Sequence, residues 1–170
     1  MQLLWLSLFG YVLLALESPL FEQMGIPLYT PDLAIPLLLI AARKLEDFSF
    51  LFYAAILGLF IDGMTPLQPL GLNMERVIIV AYAVRPLLTA LPVRGFLGYV
   101  GVGIILSIFS DLVLLVLLKL LVAGPVQYGL IFERMIPYAI LTGATVPLVE
   151  ALANWIWARG RPTKDTMFHQ

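Results

Sequence analysis

GLFIDGMTPLQPLGLNMER, residues 58–76, decides how this chain is read. An apolar run ends on Asp62. Gly63, Pro66 and Pro69 then follow within a few residues. A new apolar run opens at Leu70-Gly71 and carries Glu75 and Arg76 in its first turns. Proline cannot continue a helix interior and glycine weakens one, so the backbone turns here between two helices.

The rest of the chain is of the same kind. Of its 170 residues, 61% are hydrophobic and only 12% are charged. A soluble domain is about half apolar and about a quarter charged, so this chain has too little charge to cover a water-facing surface. An integral membrane protein is expected, with the lipid bilayer as its surroundings. A formal net charge of −1 argues against nucleic acid as a partner. Cysteine is absent, which excludes disulfides and thiolate chemistry. The single histidine, His169, is next to last, so neither a histidine metal cluster nor a catalytic triad can form. No cofactor or metal is expected.

A bilayer-crossing helix needs about 20 apolar residues. Six segments qualify as expected spans: about 2–20, 31 or 32 to 42, 48–61, 70–91, 95–122 and 131–158. The first lacks a basic region before Leu3 and a small-residue cleavage site after Leu16, so it reads as a retained span, not a signal peptide. The second and third are short. The sixth contains Pro137 and Pro147. This predicts one transmembrane helical domain over 1–158 and a polar tail over 159–170.

Arg43 and Lys44, then Arg94, then Arg159, Arg161 and Lys164 occupy one set of ends; Glu17 and Glu22, then Asp62, then Lys119, Glu133 and Arg134 occupy the alternate ones. The positive-inside rule then puts both termini in the cytoplasm and the 63–69 turn outside.

Charges inside a membrane are costly and usually face the interior of a bundle. By helical rise, Asp62 and Asp111 fall roughly 10 Å below the outer boundary, with Arg76 slightly nearer the surface. A charge cluster of Arg76 with Asp62, Glu75 and Asp111 is expected. The bland alternative is that Asp62 and Glu75 only end helices. Arg85 and Glu150 both fall roughly 20 Å down by the same rise, and an ion pair between segments four and six is expected. The alternative is that Arg85 snorkels to headgroups while Glu150 stands alone.

Gly95, Gly98 and Gly101 recur every third residue in segment five, and Gly103, Ser107 and Asp111 every fourth, with Ser110 beside them. Gly143, Pro147, Glu150 and Asn154 form a stripe on segment six. Both stripes read as packing surfaces. Trp5, Trp155 and Trp157 fall near cytoplasmic ends and fit an interfacial belt. The basic tail suits anionic lipid or a cytoplasmic partner. Asp62 and Asp111 are the only paired aspartates for water activation. The Gly-x-Gly-Asp pattern of intramembrane aspartyl proteases and the asparagine-rich pattern of lipoprotein signal peptidase are both absent, so a non-enzyme is expected.

Pro31-Asp32-Leu33 opening an apolar helix, Ala41-Ala42-Arg43, Gly58-Leu59-Phe60-Ile61-Asp62 and Pro69-Leu70-Gly71 occur in an order and spacing that resembles the rod shape-determining MreD family. The resemblance covers residues 31–82 by motif and the rest by hydropathy. It departs at Thr65-Pro66-Leu67-Gln68, a longer prolyl turn, and at Glu75-Arg76, where apolar or small residues are more usual. It implies a non-enzymatic inner-membrane scaffold of the bacterial cell-elongation machinery. Such a scaffold binds MreC and works with MreB, RodA and penicillin-binding protein 2 in peptidoglycan synthesis. The implied fold is similar to the six-helix substrate-binding subunits of energy-coupling-factor transporters. Pro31, Asp32, Asp62, Gly63, Pro69, Leu70, Gly71, Arg76 and Asp111 are then the candidates for an outer, partner-binding edge. A homo-oligomer is compatible with the sequence.

The competing reading is a vitamin-type transport subunit of the same architecture, with Asp62, Asn73, Glu75, Arg76 and Asp111 lining an outward pocket. Against it, the first helix, LLWLSLFGYVLLALES, lacks the Ala-x-x-x-Ala pairing such subunits use to dock an energising partner. A channel has no filter-like signature here.

Overall fold

In the computed structural model the described backbone covers residues 2–23, 31–65, 69–91, 95–121 and 128–159, and the described side chains are fewer at the helix ends. It is all α among these residues. Six helices follow one another: α1 (Gln2–Gln23), α2 (Ala34–Lys44), α3 (Asp47–Met64), α4 (Leu72–Ala90), α5 (Gly95–Leu121) and α6 (Tyr128–Arg159). Each expected segment is one helix, with ends shifted by a few residues. Helices α3 and α5, and α6 over Phe132–Trp157, are long and apolar enough to cross a membrane. Glu17, Glu22, Arg94, the Pro66–Gln68 part of the turn and the basic side chains of the tail lie outside the residues whose surroundings are described.

The architecture is organised around the shortest helix. At 11 residues, α2 is only about 16 Å long by helical rise. It touches all five other helices. Its run from Ala34 to Ala41 is buried without a break. A helix that is apolar on every side belongs in an interior, and this one forms the axis of the bundle. The other helices pack in sequence around it, α1 on α3, α3 on α4, α4 on α5 and α5 on α6. Ile35, Leu37 and Leu38 of α2 meet Tyr53 and Leu57 of α3, Val80 and Val84 of α4, Leu106 of α5 and Val146 of α6 in one continuous core.

Two glycine contacts set the closest helix approaches. A Cβ on Gly58 would strike the α4 backbone at Met74 Cα and, at 2.9 Å, the Asn73 carbonyl oxygen. A Cβ on Gly103 would lie 2.9 Å from Gly143 Cα, and one on Gly143 would lie 2.8 Å from the Val100 carbonyl oxygen. Where lipid tails are as apolar as leucine, close van der Waals packing has to supply much of helix association, and small residues permit it. The Gly103 stripe is therefore a packing surface. Two members of the every-third stripe make no such approach: a Cβ on Gly95 or Gly101 would meet nothing within 4 Å among the described residues.

Candidate functional site

The α3–α4 turn builds the first part of the site. Asp62 stands in the last turn of α3, and its carboxylate accepts three backbone N–H groups at the start of α4. Oδ2 takes Gly71 at 3.0 Å and Met74 at 3.1 Å, and Oδ1 takes Asn73 at 2.9 Å. The first N–H groups of a helix have no partner within it, and its positive dipole end favours a carboxylate. Gly71 occupies the left-handed region at φ 98°, which lets the chain enter α4 under that carboxylate. Thr65 closes the other side. Its hydroxyl donates to the Ile61 carbonyl at 2.8 Å and accepts the Asn73 side-chain amide at 3.3 Å. The two ends of the turn are thus tied together. On its outside, Gly63, Met64 and Pro69 are exposed, and Leu70 is 84% exposed.

Asp32 builds the second part. It sits in non-helical backbone just before α2, and Oδ1 accepts the Ala34 N–H at 3.0 Å in the manner of an N-cap. Its own N–H donates to the Thr142 hydroxyl of α6 at 2.9 Å. Oδ2 lies 3.4 Å from the Arg76 guanidinium of α4. One aspartate so ties the central helix to two of its neighbours. Pro31 is buried beside it.

Arg76 is 6% exposed, and its electrostatic neighbours are Asp32 first, then Tyr138, Asp111 and Asp62. The expected cluster around Arg76 therefore forms with different members. Glu75 is exposed and takes no part among the described contacts, and Asp32 replaces it as the direct partner. Asp62 is near, but its hydrogen bonds go to backbone. Asp111, 7% exposed, completes the group from α5; Ser107 and Ser110 of the same helix are also buried.

The opposite end of the bundle corrects a second expectation. Arg85 and Glu150 do not pair. Arg85 binds Asp47 and the Leu45 carbonyl oxygen and stacks near Phe50, while Glu150 accepts from Arg43 at 2.8 Å. Arg43 also donates to the Tyr99 hydroxyl. The reason is topological. Depth puts Arg85 and Glu150 at the same end, but the α4 and α6 backbones do not come together among the described residues, because α2 and α5 lie between them. The helix that reaches Glu150 is α2. Next to Arg43, Lys44 places its ammonium 3.1 Å from the centre of the Trp157 ring. Trp5 and Trp155 are exposed.

Sequence reasoning missed Thr142 altogether and did not join Asp32 to Arg76. The available signal for Asp32 was an aspartate two residues ahead of an apolar helix, the pattern of a cap. No such signal marks Thr142, whose role comes from where α6 passes.

Among the described residues no group of three carboxylate, histidine or cysteine side chains is close enough to hold a metal ion. Searches against family models, curated proteins and solved structures give no match for this chain.

Proposed function

We propose that this protein is a non-enzymatic scaffold of the MreD type. It sits in the bacterial inner membrane with six spans, both termini cytoplasmic and the Asp62 end outside. In this reading it binds MreC and through it serves MreB, RodA, penicillin-binding protein 2 and wall elongation. The fold likeness to energy-coupling-factor subunits belongs to the same proposal.

One observation supports the reading above others. Two of the four sequence motifs behind the resemblance are parts of one physical unit. Asp62 from the third bonds Gly71 from the fourth, Gly58 of the third lies against the start of α4, and Asp32 of the first reaches the same helix through Arg76, a residue outside the motifs. Motifs that interlock in space serve one local structure, and that structure presents Leu70 and Met64 outward. Exposed apolar side chains flanking such a fastened helix junction suit a partner's juxtamembrane segment. In this arrangement Asp62, Gly71 and Arg76 shape the edge from within, and Leu70 makes the contact.

The test is co-expression with MreC and co-purification in mild detergent. Recovery of MreC with the wild type and its loss with Leu70→Asp, at unchanged membrane insertion, supports the scaffold. Capture of an ATPase module and a bound small molecule instead of MreC establishes the transport reading and overturns this one.

A further inference from the structure

The end of the bundle opposite Asp62 carries a cleft between α2, α5 and α6. Its walls are apolar: Pro36, Leu39 and Ile40 of α2 and Val146 of α6. Its mouth is polar: Arg43, Tyr99 and Glu150. Helical spacing explains the layout. Pro36, Leu39, Ile40 and Arg43 fall at i, i+3, i+4 and i+7 on one face of α2, and Val146 and Glu150 at i and i+4 on α6. By helical rise the wall runs about 10 Å along α2, from Arg43 to Pro36. The cleft is narrow, with about 170 Å³ of empty space counting the part open to the outside. Small-molecule pockets run to about 300–1,000 Å³, so this one suits a slender chain lying along it, not a compact ligand.

The mouth keeps bonding capacity of both signs. Arg43 uses only Nη1 on its partners, donating to Glu150 Oε1 at 2.8 Å and to the Tyr99 hydroxyl. Its guanidinium carbon lies 4.6 Å from the centre of the Tyr99 ring, a cation–π contact that orients the group. Among the described residues Arg43 Nε and Nη2 have no partner, and neither has Glu150 Oε2. The two side chains are 35% and 22% exposed, so the mouth can be reached. A neutral Arg–Glu pair has little attraction for a plain anion. It offers donors to a phosphate and an acceptor to an ammonium, side by side.

We propose that this cleft binds one molecule of phosphatidylethanolamine from the surrounding bilayer. The lipid phosphate accepts from Arg43 Nε and Nη2, a planar fork that matches it. The lipid ammonium donates to Glu150 Oε2. One acyl chain lies along Pro36, Leu39, Ile40 and Val146. The Arg43–Glu150 bond itself is kept. A choline headgroup has no N–H to donate, and a glycerol headgroup has no charge for Glu150, so the mouth selects a primary ammonium. Beside it, Lys44 sets its ammonium 3.1 Å from the centre of the Trp157 ring. Basic and aromatic side chains together are what the headgroup level of a membrane favours. The proposal needs only that the bundle sit in a membrane, and it does not depend on the scaffold reading.

The experiment titrates the purified full chain in detergent with phosphatidylethanolamine, phosphatidylcholine or phosphatidylglycerol of the same acyl chains. Native mass spectrometry counts the lipid retained, and the thermal unfolding midpoint is followed alongside. The wild type should retain one phosphatidylethanolamine, with a saturable rise in midpoint, at about a tenth of the concentration needed for the other two lipids. Arg43→Gln should weaken that binding about tenfold, the loss of a charge-assisted hydrogen bond. Glu150→Gln should bind phosphatidylethanolamine and phosphatidylcholine alike. Arg85→Gln, which breaks the other ion pair at this end, should bind as the wild type does. Equal retention of the three lipids by the wild type overturns the proposal, and so does a preference for phosphatidylglycerol. It is also overturned if Arg43→Gln and Glu150→Gln keep the wild-type preference, or if Arg85→Gln weakens binding as much as Arg43→Gln. Should a variant not fold, the headgroup comparison in the wild type decides alone.

Discussion

The Asp62 carboxylate at the end of one helix accepts the backbone N–H of Asn73 in the first turn of the next, at 2.9 Å. Together with its bonds to Gly71 and Met74, this makes a side chain the closure of the α3–α4 hairpin. The charge is used internally, to satisfy backbone that has no other partner.

Removing that carboxylate leaves three N–H groups with lost or weakened acceptors. Asp62→Ala should lower stability by about 1–3 kcal/mol, and Asp62→Asn by less, since the amide oxygen still accepts. Thermal unfolding in detergent measures the order wild type, Asn, Ala. Equal midpoints for all three would remove the cap from the account.

The glycines make a paired comparison. Gly103→Ala drives a methyl to 2.9 Å from Gly143 Cα, in backbone that cannot swing aside. It should cost about 1–3 kcal/mol, the usual range for overpacking. Gly101→Ala, two residues away, meets nothing and should be neutral or slightly stabilising through helix propensity. Cysteine crosslinking yield between α5 and α6 should fall for the first and hold for the second.

Arg43 and Glu150 should be energetically coupled, and Arg85 and Glu150 should not. Arg43 is about a third exposed (35%), so the coupling is modest, about 0.5–1 kcal/mol in a double-mutant cycle. Arg85→Gln combined with Glu150→Gln should be additive within the error of such cycles, because the two side chains have separate partners and the backbones of their helices do not come together. A coupling of Arg85 with Glu150 equal to that of Arg43 would mean the bundle is ordered differently.

Leu70 separates binding from folding. It is exposed, so Leu70→Ala should leave the unfolding midpoint unchanged; under the proposed scaffold function it should also weaken MreC retention at least severalfold, as loss of an apolar anchor does. Asp62→Ala should reduce both. Retention untouched by Leu70→Ala and Leu70→Asp would move the partner contact away from this turn.

Much of this was legible in the chain, for identifiable reasons. The six helices show because their apolar runs are long and their breakers are grouped, as at Gly63 and Pro69. Asp62, Gly71 and Arg76 could be singled out because a charge beside a turn in a greasy sequence has few uses. The partners of Arg76 and Glu150 could not. Periodicity and depth locate a residue along a helix, but they do not give its bearing around the bundle or say which helix lies across from it.

Composition, span lengths and the turn at 58–76 thus determined the class, the helix count and the residues worth suspecting. These follow from local chemistry, which one strand of sequence carries in full. Only the tertiary structure decided that 11-residue α2 is the axis, that Asp32 rather than Glu75 meets Arg76, and that Arg43 takes Glu150 from Arg85. Those outcomes depend on the order in which the helices pack around α2. That order is set by many weak contacts acting together, such as the Gly58 and Gly103 approaches, and no single stretch of residues records it.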